Sequence, residues 1–395
     1  MGVTIETQAS TGLRAKVYFV VIVIAVASLW VSDCWGAERV WLEGANINGK
    51  AARMYFDSGA MGALLTSNAV ERLGLKVIDP GTNGLGDTAV YTFKWNNSAA
   101  FKTDFGIMNE EMDCDGIVGW DFASGSVVRI DAVKGIITPL WHSPWFSGNW
   151  ARFPIITNSG MLDIEMPQMD GTKGIFTIDT GSPMGLAISS RLWRQWRNAH
   201  PQAPTTARSF ASGGGFFTRE EALADRINIG ALVLTNVPLM EVWSNDVEAE
   251  WGSRYGGIIG MAALDHLEVI ADGIHNVAYL HVGKNPAPPY SYNRLGALFY
   301  GMPANPDENS AWVLPGGPAY EAGIRNGDVL VHLDGLPPIK WTTDKMEQFK
   351  LPADSVEQFV LPAGTKIRFT LHRNGTNFET VATLRNILQP NIEHK

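Results

Sequence analysis

The sequence is poor in residues that would cross-link the chain or attach it to nucleic acid. It has only two cysteines in 395 residues, Cys34 and Cys114, and Cys34 lies within or beside a predicted export signal. An intramolecular disulfide in the mature chain is therefore excluded, so the fold depends on its hydrophobic cores. The net charge is −9, and no block rich in Lys and Arg interrupts it. This balance argues against nucleic acid as a partner.

The sequence also lacks the common signatures of other hydrolases. It contains no GxSxG or HExxH motif, and its eight histidines have no ligand-like spacing. Serine-hydrolase and metal chemistry therefore have no support, and we expect neither a metal nor a cofactor. Cys114 lies between Asp113 and Asp115, whose charges should raise the pKa of its thiol and make it a poor nucleophile. A small buried residue is the simpler interpretation of Cys114.

The amino-terminal residues 1–37 are typical of a secretory signal or signal anchor. A basic stretch ending at Lys16 precedes an apolar run over residues 17–31, and small residues follow at Gly36 and Ala37. The run is shorter than the ~20 residues that a spanning helix needs, which favours cleavage near Gly36 or Ala37. We therefore predict an exported protein, periplasmic or extracellular, which is attached to the membrane only if the signal is retained as an anchor.

Two short motifs of the same pattern occur 122 residues apart, "YFDSGA" around Asp57 and "TIDTGS" around Asp179. Each carboxylate follows two bulky residues and precedes a hydroxyl residue and a glycine. A single Asp-Ser-Gly is best interpreted as a turn, but two matched copies favour one joint site. The turn residues that accompany the two aspartates are Ser58, Gly59, Thr180 and Gly181.

Each motif is followed by an apolar-apolar-Gly element in a longer internal repeat. The segment beginning "GIVGWDF" at Gly116 aligns without a gap to "GIIGMAA" at Gly257, and Asp131 then aligns with Asp272. Such a match indicates duplication. The elements predicted to support the two turns are Ile117, Val118 and Gly119 in the first copy and Ile258, Ile259 and Gly260 in the second.

The paired turns predict a specific chemistry. Gly59 and Gly181 would allow two loops to approach closely, and the hydroxyls of Ser58 and Thr180 could bond to the opposite loop. Two adjacent carboxylates do not ionise together easily, so they would share a proton. One would act as general base toward a water while the other donates a proton to a carbonyl oxygen. This arrangement would hydrolyse a peptide bond without a covalent intermediate.

These motifs resemble those of the retropepsin-like aspartic proteases, over roughly residues 40–282. The resemblance implies a mainly β fold with two tandem acid-protease β-barrel lobes, spanning 38–141 and 150–284, that form a pseudo-dimer. It also implies that Asp57 and Asp179 are the catalytic dyad and that polypeptides are the substrates. The aspartic proteases are the established example of two carboxyls sharing a proton.

The family's substrate-covering flap is less clearly marked in this sequence. Its candidates are "GTNGLGDTAVYTF" in the first lobe and "SFASGGGFFTRE" in the second. The distance from Asp to the supporting Gly is 62 residues in the first lobe and 81 in the second, which predicts an insertion between "RQWRNAHPQAP" and "NDVEAEWGSRYG". The residues proposed for the flap are Gly86, Tyr91, Gly214 and Phe216.

The carboxy-terminal part follows a Pro-rich linker at 285–294 and resembles a bacterial PDZ domain over 295–388. The motifs that carry this resemblance are "VLPGGPAYEAGIRNGDVLVHLDG" and "GTKIRFTLHRNG". The resemblance implies an α+β domain that binds the carboxy-terminal end of a peptide as an added strand, with "GALFYGM" contributing to the peptide site. The alternative is a PDZ fold that only packs on the other lobes.

Together these features predict an exported aspartic endopeptidase whose PDZ domain recruits substrate or regulates cleavage. Two alternatives remain open. The chain could be a non-catalytic peptide-binding or scaffold protein derived from a protease, or a lobe could need a second chain to complete its site. Intact carboxylates in both turns favour catalysis, because a binding remnant has no need for them.

Overall fold

The computed structural model describes residues 39–79, 85–96, 98, 100–108, 112–143, 150–212, 215–242, 254–283, 289–302, 305–351 and 356–388. The predicted signal at 1–37 lies outside these residues. The fold is mainly β, as predicted, with two large β lobes followed by a smaller sheet with its own core. None of the helices in the described part of the chain is long and apolar enough to cross a membrane.

The described residues of the first lobe form thirteen short strands, one α-helix and one 3₁₀ turn. Asn48 and Gly49 both have positive φ, +53° and +82°, as the two central residues of a tight hairpin turn require. Helix α1 begins where the Thr66 hydroxyl accepts a hydrogen bond from Ala69 N and ends at Gly74 in the left-handed region. The elements are β1 (Trp41–Leu42), β2 (Asn46–Ile47), β3 (Lys50–Ala51), β4 (Met54–Asp57), β5 (Ala63–Thr66), α1 (Ser67–Leu73), β6 (Val77–Asp79), β7 (Leu85–Thr88), β8 (Tyr91–Lys94), β9 (Phe101–Thr103), β10 (Gly106–Met108), β11 (Gly116–Gly119), the 3₁₀ turn (Trp120–Phe122), β12 (Val127–Asp131) and β13 (Ile136–Leu140).

The second lobe has longer elements. Its first helix buries Leu192, Trp193 and Trp196 on one face, which is the spacing of an amphipathic helix. The elements are β14 (Ala151–Ile156), β15 (Asp163–Pro167), β16 (Lys173–Ile178), β17 (Leu186–Ile188), α2 (Ser190–Ala199), β18 (Thr205–Ser212), β19 (Gly215–Ala224), β20 (Ile227–Ile229), β21 (Leu232–Leu234), β22 (Val237–Glu241), β23 (Tyr255–Ile259), α3 (Met261–Leu264), β24 (Leu267–Asp272) and β25 (Val277–Val282).

The two lobes repeat one strand arrangement. In the first, β11 runs parallel to β4 and antiparallel to β5, while β10 pairs with β5 and β7. In the second, β23 runs parallel to β16 and antiparallel to β17, while β22 pairs with β17 and β19. The hairpins β6–β7 and β18–β19 are therefore equivalent. The second hairpin is longer and lies within the broad segment where the sequence predicts an insertion.

A shared sheet joins the lobes. Its strands follow the order β1, β13, β12, β24, β25, β14, and the two lobes meet where β12 pairs with β24. In that pairing Ile130 lies opposite Val269, and both side chains are buried in one core that continues through both lobes. Because this sheet fixes the lobes relative to each other, it also fixes the two motif turns.

After the linker, the described residues form a five-stranded antiparallel sheet with two helices. The core of this unit is separate and includes the large side chains of Trp341, Phe359 and Phe369. The elements are β26 (Ala297–Met302), β27 (Asn305–Val313), α4 (Pro318–Glu321), β28 (Val329–Leu333), α5 (Pro338–Phe349), β29 (Lys366–Arg373) and β30 (Thr376–Thr383).

This carboxy-terminal unit packs against β18 of the second lobe. Leu298 and Leu314 form a small buried cluster with Ala207 of β18, whereas the neighbouring Ala297 belongs to the unit's own core. Thr206 Oγ1 donates a hydrogen bond to Asn293 O at 2.6 Å, and Ser209 N donates to Gln358 Oε1 at 3.3 Å. One face of β26 thus rests on the base of the β18–β19 hairpin.

The turn between β15 and β16 holds a strongly stabilised carboxylate. Thr172 N and Oγ1 donate to Asp170 Oδ1 at 3.0 and 2.6 Å, and Arg191 pairs with Asp170 Oδ2. Burial raises the pKa of Asp170, but the hydrogen bonds from Thr172 and the Arg191 guanidinium outweigh it and lower that pKa to about 2.

We expect Asp170→Asn to lower the free energy of unfolding by about 1 kcal/mol at neutral pH, after allowance for solvent screening. Because the folded-state pKa lies below the unfolded value, the stabilisation is complete above the unfolded pKa and is lost as pH falls through about 2. Urea unfolding should therefore show that the difference in free energy of unfolding between the variant and the parent chain shrinks as the pH falls from about 7 to about 2. The exposed Asp225→Asn serves as control, and a deficit that does not depend on pH would contradict this account.

Candidate active site

The first motif turn closes strand β4. The strand is buried along its whole length, and Asp57 at its end lies opposite Gly119 of the parallel strand β11. Asp57 is fully buried, and Gly59 N donates to its Oδ1 at 3.0 Å. Its backbone is therefore fixed by a neighbouring strand and one of its carboxylate oxygens by the turn.

The second motif turn repeats this construction after β16. Asp179 N donates to Ile259 O at 3.0 Å, and Gly181 N donates to Asp179 Oδ1 at 2.9 Å. Asp179 is 5% exposed. The apolar-Gly elements predicted to support the turns thus run beside both aspartates, as β11 and β23.

The hydroxyls of the two turns bond across to each other. Ser58 N donates to Thr180 Oγ1 and Thr180 N donates to Ser58 Oγ, both at 3.0 Å. Each hydroxyl in turn donates to a carbonyl of the opposite strand, Ser58 Oγ to Ile178 O and Thr180 Oγ1 to Phe56 O, both at 2.7 Å. This reciprocal set of four hydrogen bonds locks the turns together in a buried, low-dielectric position.

The glycines bring each turn against the opposite carboxyl group. A Cβ placed on Gly59 would lie 2.4 Å from Asp179 Cγ, and one on Gly181 would lie 2.3 Å from Asp57 Oδ2. Both distances are far inside van der Waals contact, so only glycine fits. The supporting glycines are equally constrained, since a Cβ on Gly119 would lie 2.5 Å from Ala60 O and one on Gly260 the same distance from Met184 O.

The electrostatics of the pair follow from this burial. Burial raises the pKa of Asp179, while a hydrogen bond with the Asp57 side chain and the turn N–H groups of Gly181 and Ser182 partly offset the rise. The nearby Asp163 raises the Asp179 pKa further. A carboxyl held in this way retains its proton more readily than an exposed one.

One contact within the site was not expected from the sequence. The Tyr55 hydroxyl, which is buried, donates a hydrogen bond to Thr180 O across the two lobes. Tyr55 belongs to the bulky pair that precedes Asp57, and that pattern indicates only a buried strand. The only available signal was the polar hydroxyl of a tyrosine in an otherwise apolar strand, since a buried tyrosine usually finds a hydrogen-bond partner.

The described residues predicted to form the flap lie in or beside hairpin strands of the two lobes. Both predicted segments include hairpin strands, β7 in the first lobe and β18–β19 in the second. Gly86 pairs with Ile107 within the lobe, and the Tyr91 hydroxyl accepts a hydrogen bond from Lys76 N at 2.7 Å. Phe216 belongs to β19, and Gly214 lies outside the described residues. Their role over a substrate stays a prediction.

A cavity lies elsewhere in the first lobe. It measures about 870 Å³ and is lined by residues of β1, β3, β4 and α1, with Cys114 at one side. Neither aspartate lines it. Burial raises the pKa of the Cys114 thiol to about 11, with Arg39 opposing and Asp113 adding to the rise, so the residue is buried and unreactive as predicted, chiefly because of burial.

Among the residues described, no cluster of three or more His, Cys, Asp or Glu side chains is arranged to hold a metal ion. The two carboxyls can themselves transfer protons to and from a water and a carbonyl oxygen.

Comparison with known proteins agrees with these features. Residues 44–122 match the family model described as aspartyl protease, and residues 310–349 match that of the PDZ domain. The first match includes Asp57 and Gly119. The chain therefore carries an aspartyl-protease-like domain and a PDZ domain, which confirms the predicted resemblance to both.

Comparison of whole chains adds little detail. A search of curated proteins finds no match. Among solved structures, the chain is similar to the crystal structure of the aspartic proteinase from Irpex lacteus, at 11% identity and a TM-score of 0.38, over 61% of this chain and 93% of that one.

The glycine contacts give a direct prediction. Gly181→Ala should reduce kcat/KM for peptide cleavage by roughly 10²-fold, because the new methyl group would displace the Asp57 carboxyl by about an ångström. Gly125→Ala is the matched control, since a Cβ there meets no atom within 4 Å. Steady-state cleavage of one fluorogenic peptide compares the two, and full activity of Gly181→Ala would contradict the described contact.

Proposed function

We propose that the protein is an exported aspartic endopeptidase in which Asp57 and Asp179 activate one water. The observation that carries this proposal is the mutual burial of the two carboxyls, each in contact with the glycine of the opposite turn. The match of residues 44–122 to the aspartyl protease family supports the same class of enzyme.

The reaction follows from a carboxyl pair that shares one proton. The ionised member accepts a proton from the water as its oxygen attacks the peptide carbonyl carbon, and the protonated member gives its proton to the carbonyl oxygen. The resulting tetrahedral diol then breaks its C–N bond: one of its hydroxyls returns a proton to the second carboxyl, and the amine leaves with a proton from the first carboxyl. No bond forms between enzyme and substrate, and the pair ends with one proton, as it began.

The PDZ domain would recruit substrate or regulate cleavage through β26. Among the described residues β26 pairs only with β27, so its other edge can accept a peptide strand. One observation favours the alternative of a packing role. Leu295 N and Gly296 N both donate to Asn293 Oδ1 at 2.8 Å, so these two amides are not open to a peptide carboxylate while Asn293 holds this position.

The first experiment incubates the purified chain from Ala37 with a denatured protein mixture from acid to neutral pH, with its molar mass measured by light scattering. Cleavage by a monomer supports the fused two-lobe enzyme. Cleavage only by a dimer would mean that a lobe needs a second chain. Absence of cleavage at every pH, with peptides still bound, would favour a binding protein.

A further inference from the structure

The second lobe carries a buried carboxyl behind the aspartate pair that the motifs do not include. Asp163 begins β15 opposite Thr177 of β16 and is fully buried. Thr177 Oγ1 donates to Asp163 Oδ1 at 2.6 Å. Thr177 and Asp179 are two residues apart and so point to the same face of the strand, which brings Asp163 into a diagonal position about 7–8 Å from Asp179.

The backbone beside Asp163 connects both motif turns. Leu162 N donates to Ser58 O at 2.8 Å, and Ile178 N donates to Leu162 O at 2.9 Å. The chain thus passes from the first turn to the strand that ends in the second turn. Asp163 is therefore held at a fixed position relative to the pair, and a change in its charge would be felt by both turns.

The surroundings of Asp163 are polar but contain no cation. The groups that face it are Thr177 from β16, Tyr255 from β23, Ser159 from the preceding loop and Asp179 beyond Thr177. Within the described part of the chain Asp163 forms no ion pair, and its Oδ2 has no hydrogen-bond partner. Thr177 therefore satisfies only one oxygen of this buried carboxyl, whereas most buried polar groups are hydrogen-bonded.

The charges of the three carboxyls interact. Burial raises the pKa of Asp163, and the hydroxyls of Thr177 and Ser159 oppose that rise. When ionised, Asp163 raises the pKa of Asp179. Burial and then the charges of Asp163 and Asp179 also raise the pKa of Tyr255, so this hydroxyl stays neutral and cannot add a charge.

The first lobe has a different residue at the equivalent place. Trp41 lies opposite Tyr55, two residues before Asp57, just as Asp163 lies opposite Thr177, two residues before Asp179. The region around Tyr55 is an apolar cluster that includes Cys114 and Ile117. The pseudo-symmetry of the pair is thus broken by one carboxyl on the Asp179 side.

We propose that Asp163 is a positioning residue that acts through Asp179: its charge holds the shared proton of the pair on the Asp179 side and extends activity to higher pH. This inference rests on the proposed function for its catalytic part. A negative neighbour makes the second proton of the pair harder to remove. Removing that charge lets the proton leave at lower pH, so the alkaline limb of the activity profile moves toward acid.

The test combines a titration with an activity profile. In protein labelled with ¹³C at the aspartate carboxyls, the signals of the pair are those lost in Asp57→Asn and Asp179→Asn. We expect Asp163→Asn to move their upper transition to lower pH by about one unit, from the interaction of two charges at this separation. The alkaline limb of kcat/KM should move in the same direction, with kcat at the optimum changed less than twofold.

Two further variants keep the test decisive. Glu165→Gln removes a carboxyl on the same strand that pairs with Lys173 and Arg254, and it should leave both transitions in place. Thr177→Val retains the Asp163 carboxyl but removes its hydroxyl partner. Because the loss of that hydrogen bond keeps Asp163 protonated to higher pH, the upper transition of the pair should move in the same direction by a smaller amount. This variant therefore tests the proposal even if Asp163→Asn folds poorly.

The outcomes separate the two proposals. An unchanged carboxyl titration in both Asp163→Asn and Thr177→Val would overturn the role of Asp163. If the carboxyl titration shifts but the pH profile of kcat/KM does not, the proposed effect of Asp163 on catalysis would be overturned. A shifted titration in a chain that cleaves nothing would leave the coupling of Asp163 to the pair supported and would contradict the proposed function instead.

Discussion

Replacing either Asp57 or Asp179 with Asn is expected to lower kcat/KM by on the order of 10²–10⁴-fold, because the pair then lacks either its base or its acid. Asn keeps the shape of the carboxyl and can still accept the turn hydrogen bond from Gly59 or Gly181. The fold should therefore survive, and the loss should appear in activity alone. Cleavage of a fluorogenic peptide by each variant, beside the exposed Asp225→Asn as control, measures it.

Stability provides an independent check on the same variants. Burial raises the pKa of Asp179, so this group is easier to ionise in the unfolded chain and costs stability as pH rises above its unfolded pKa. Asp179→Asn should therefore be more stable than the parent chain near neutral pH, and the gain should vanish below the unfolded pKa. A variant that loses activity and also unfolds at lower temperature near neutral pH would contradict this account.

The parts of the site that the sequence predicted are those with a local pattern. Asp57 and Asp179 stand in motifs whose turn residues are contiguous, and Gly119 and Gly260 end short apolar strands that the repeat identifies. Glycine is required at such positions by close approach, so its presence could be interpreted without a structure. The pairing of the two motifs followed from their similarity, since each alone would indicate only a turn.

The contacts that escaped prediction depend on strand register. Asp163 is an ordinary acidic residue in a polar stretch until β15 places it opposite Thr177. The Tyr55 hydroxyl likewise reaches Thr180 only because two lobes meet. Register between distant strands is set by the whole hydrophobic pattern and not by a local motif. The flap candidates stay a prediction for the same reason, because Gly and aromatic content does not fix where a hairpin lies.

A large loss of stability is expected when a buried ion pair is broken where the PDZ unit joins the second lobe. Arg208 of β18 and Glu221 of β19 form an ion pair at 2.6 Å, with side chains 0% and 1% exposed. The Tyr290 hydroxyl from the linker donates to the same Glu221 oxygen, and the Arg208 guanidinium lies 5.5 Å from the centre of the Tyr290 ring. The pair thus connects the hairpin to the segment that leads into the PDZ unit.

Glu221→Gln should lower the free energy of unfolding by about 3–5 kcal/mol, because it removes the negative charge that pairs with the buried Arg208 guanidinium. Glu220→Gln is the matched control, because the Glu220 side chain is 37% exposed and lies 3.8 Å from its partner Arg197. Its free energy of unfolding should change by less than about 0.5 kcal/mol. Denaturant unfolding followed by tryptophan fluorescence measures both.

The double variant Arg208→Met/Glu221→Met separates two possible causes of lost stability, the buried charge of Arg208 and the hydrogen bond with Tyr290. If the unpaired charge is the cause, two apolar side chains of similar length should recover most of the stability, since a buried ion pair is often no better than a well-packed apolar pair. If the double variant is as unstable as Glu221→Gln, the recovery is offset by loss of the hydrogen bond from Tyr290, which Gln can still accept but Met cannot. In that case Tyr290→Phe alone should lower the stability of the parent chain by a similar amount, and the linker would hold the PDZ unit on the hairpin mainly through this one hydroxyl group.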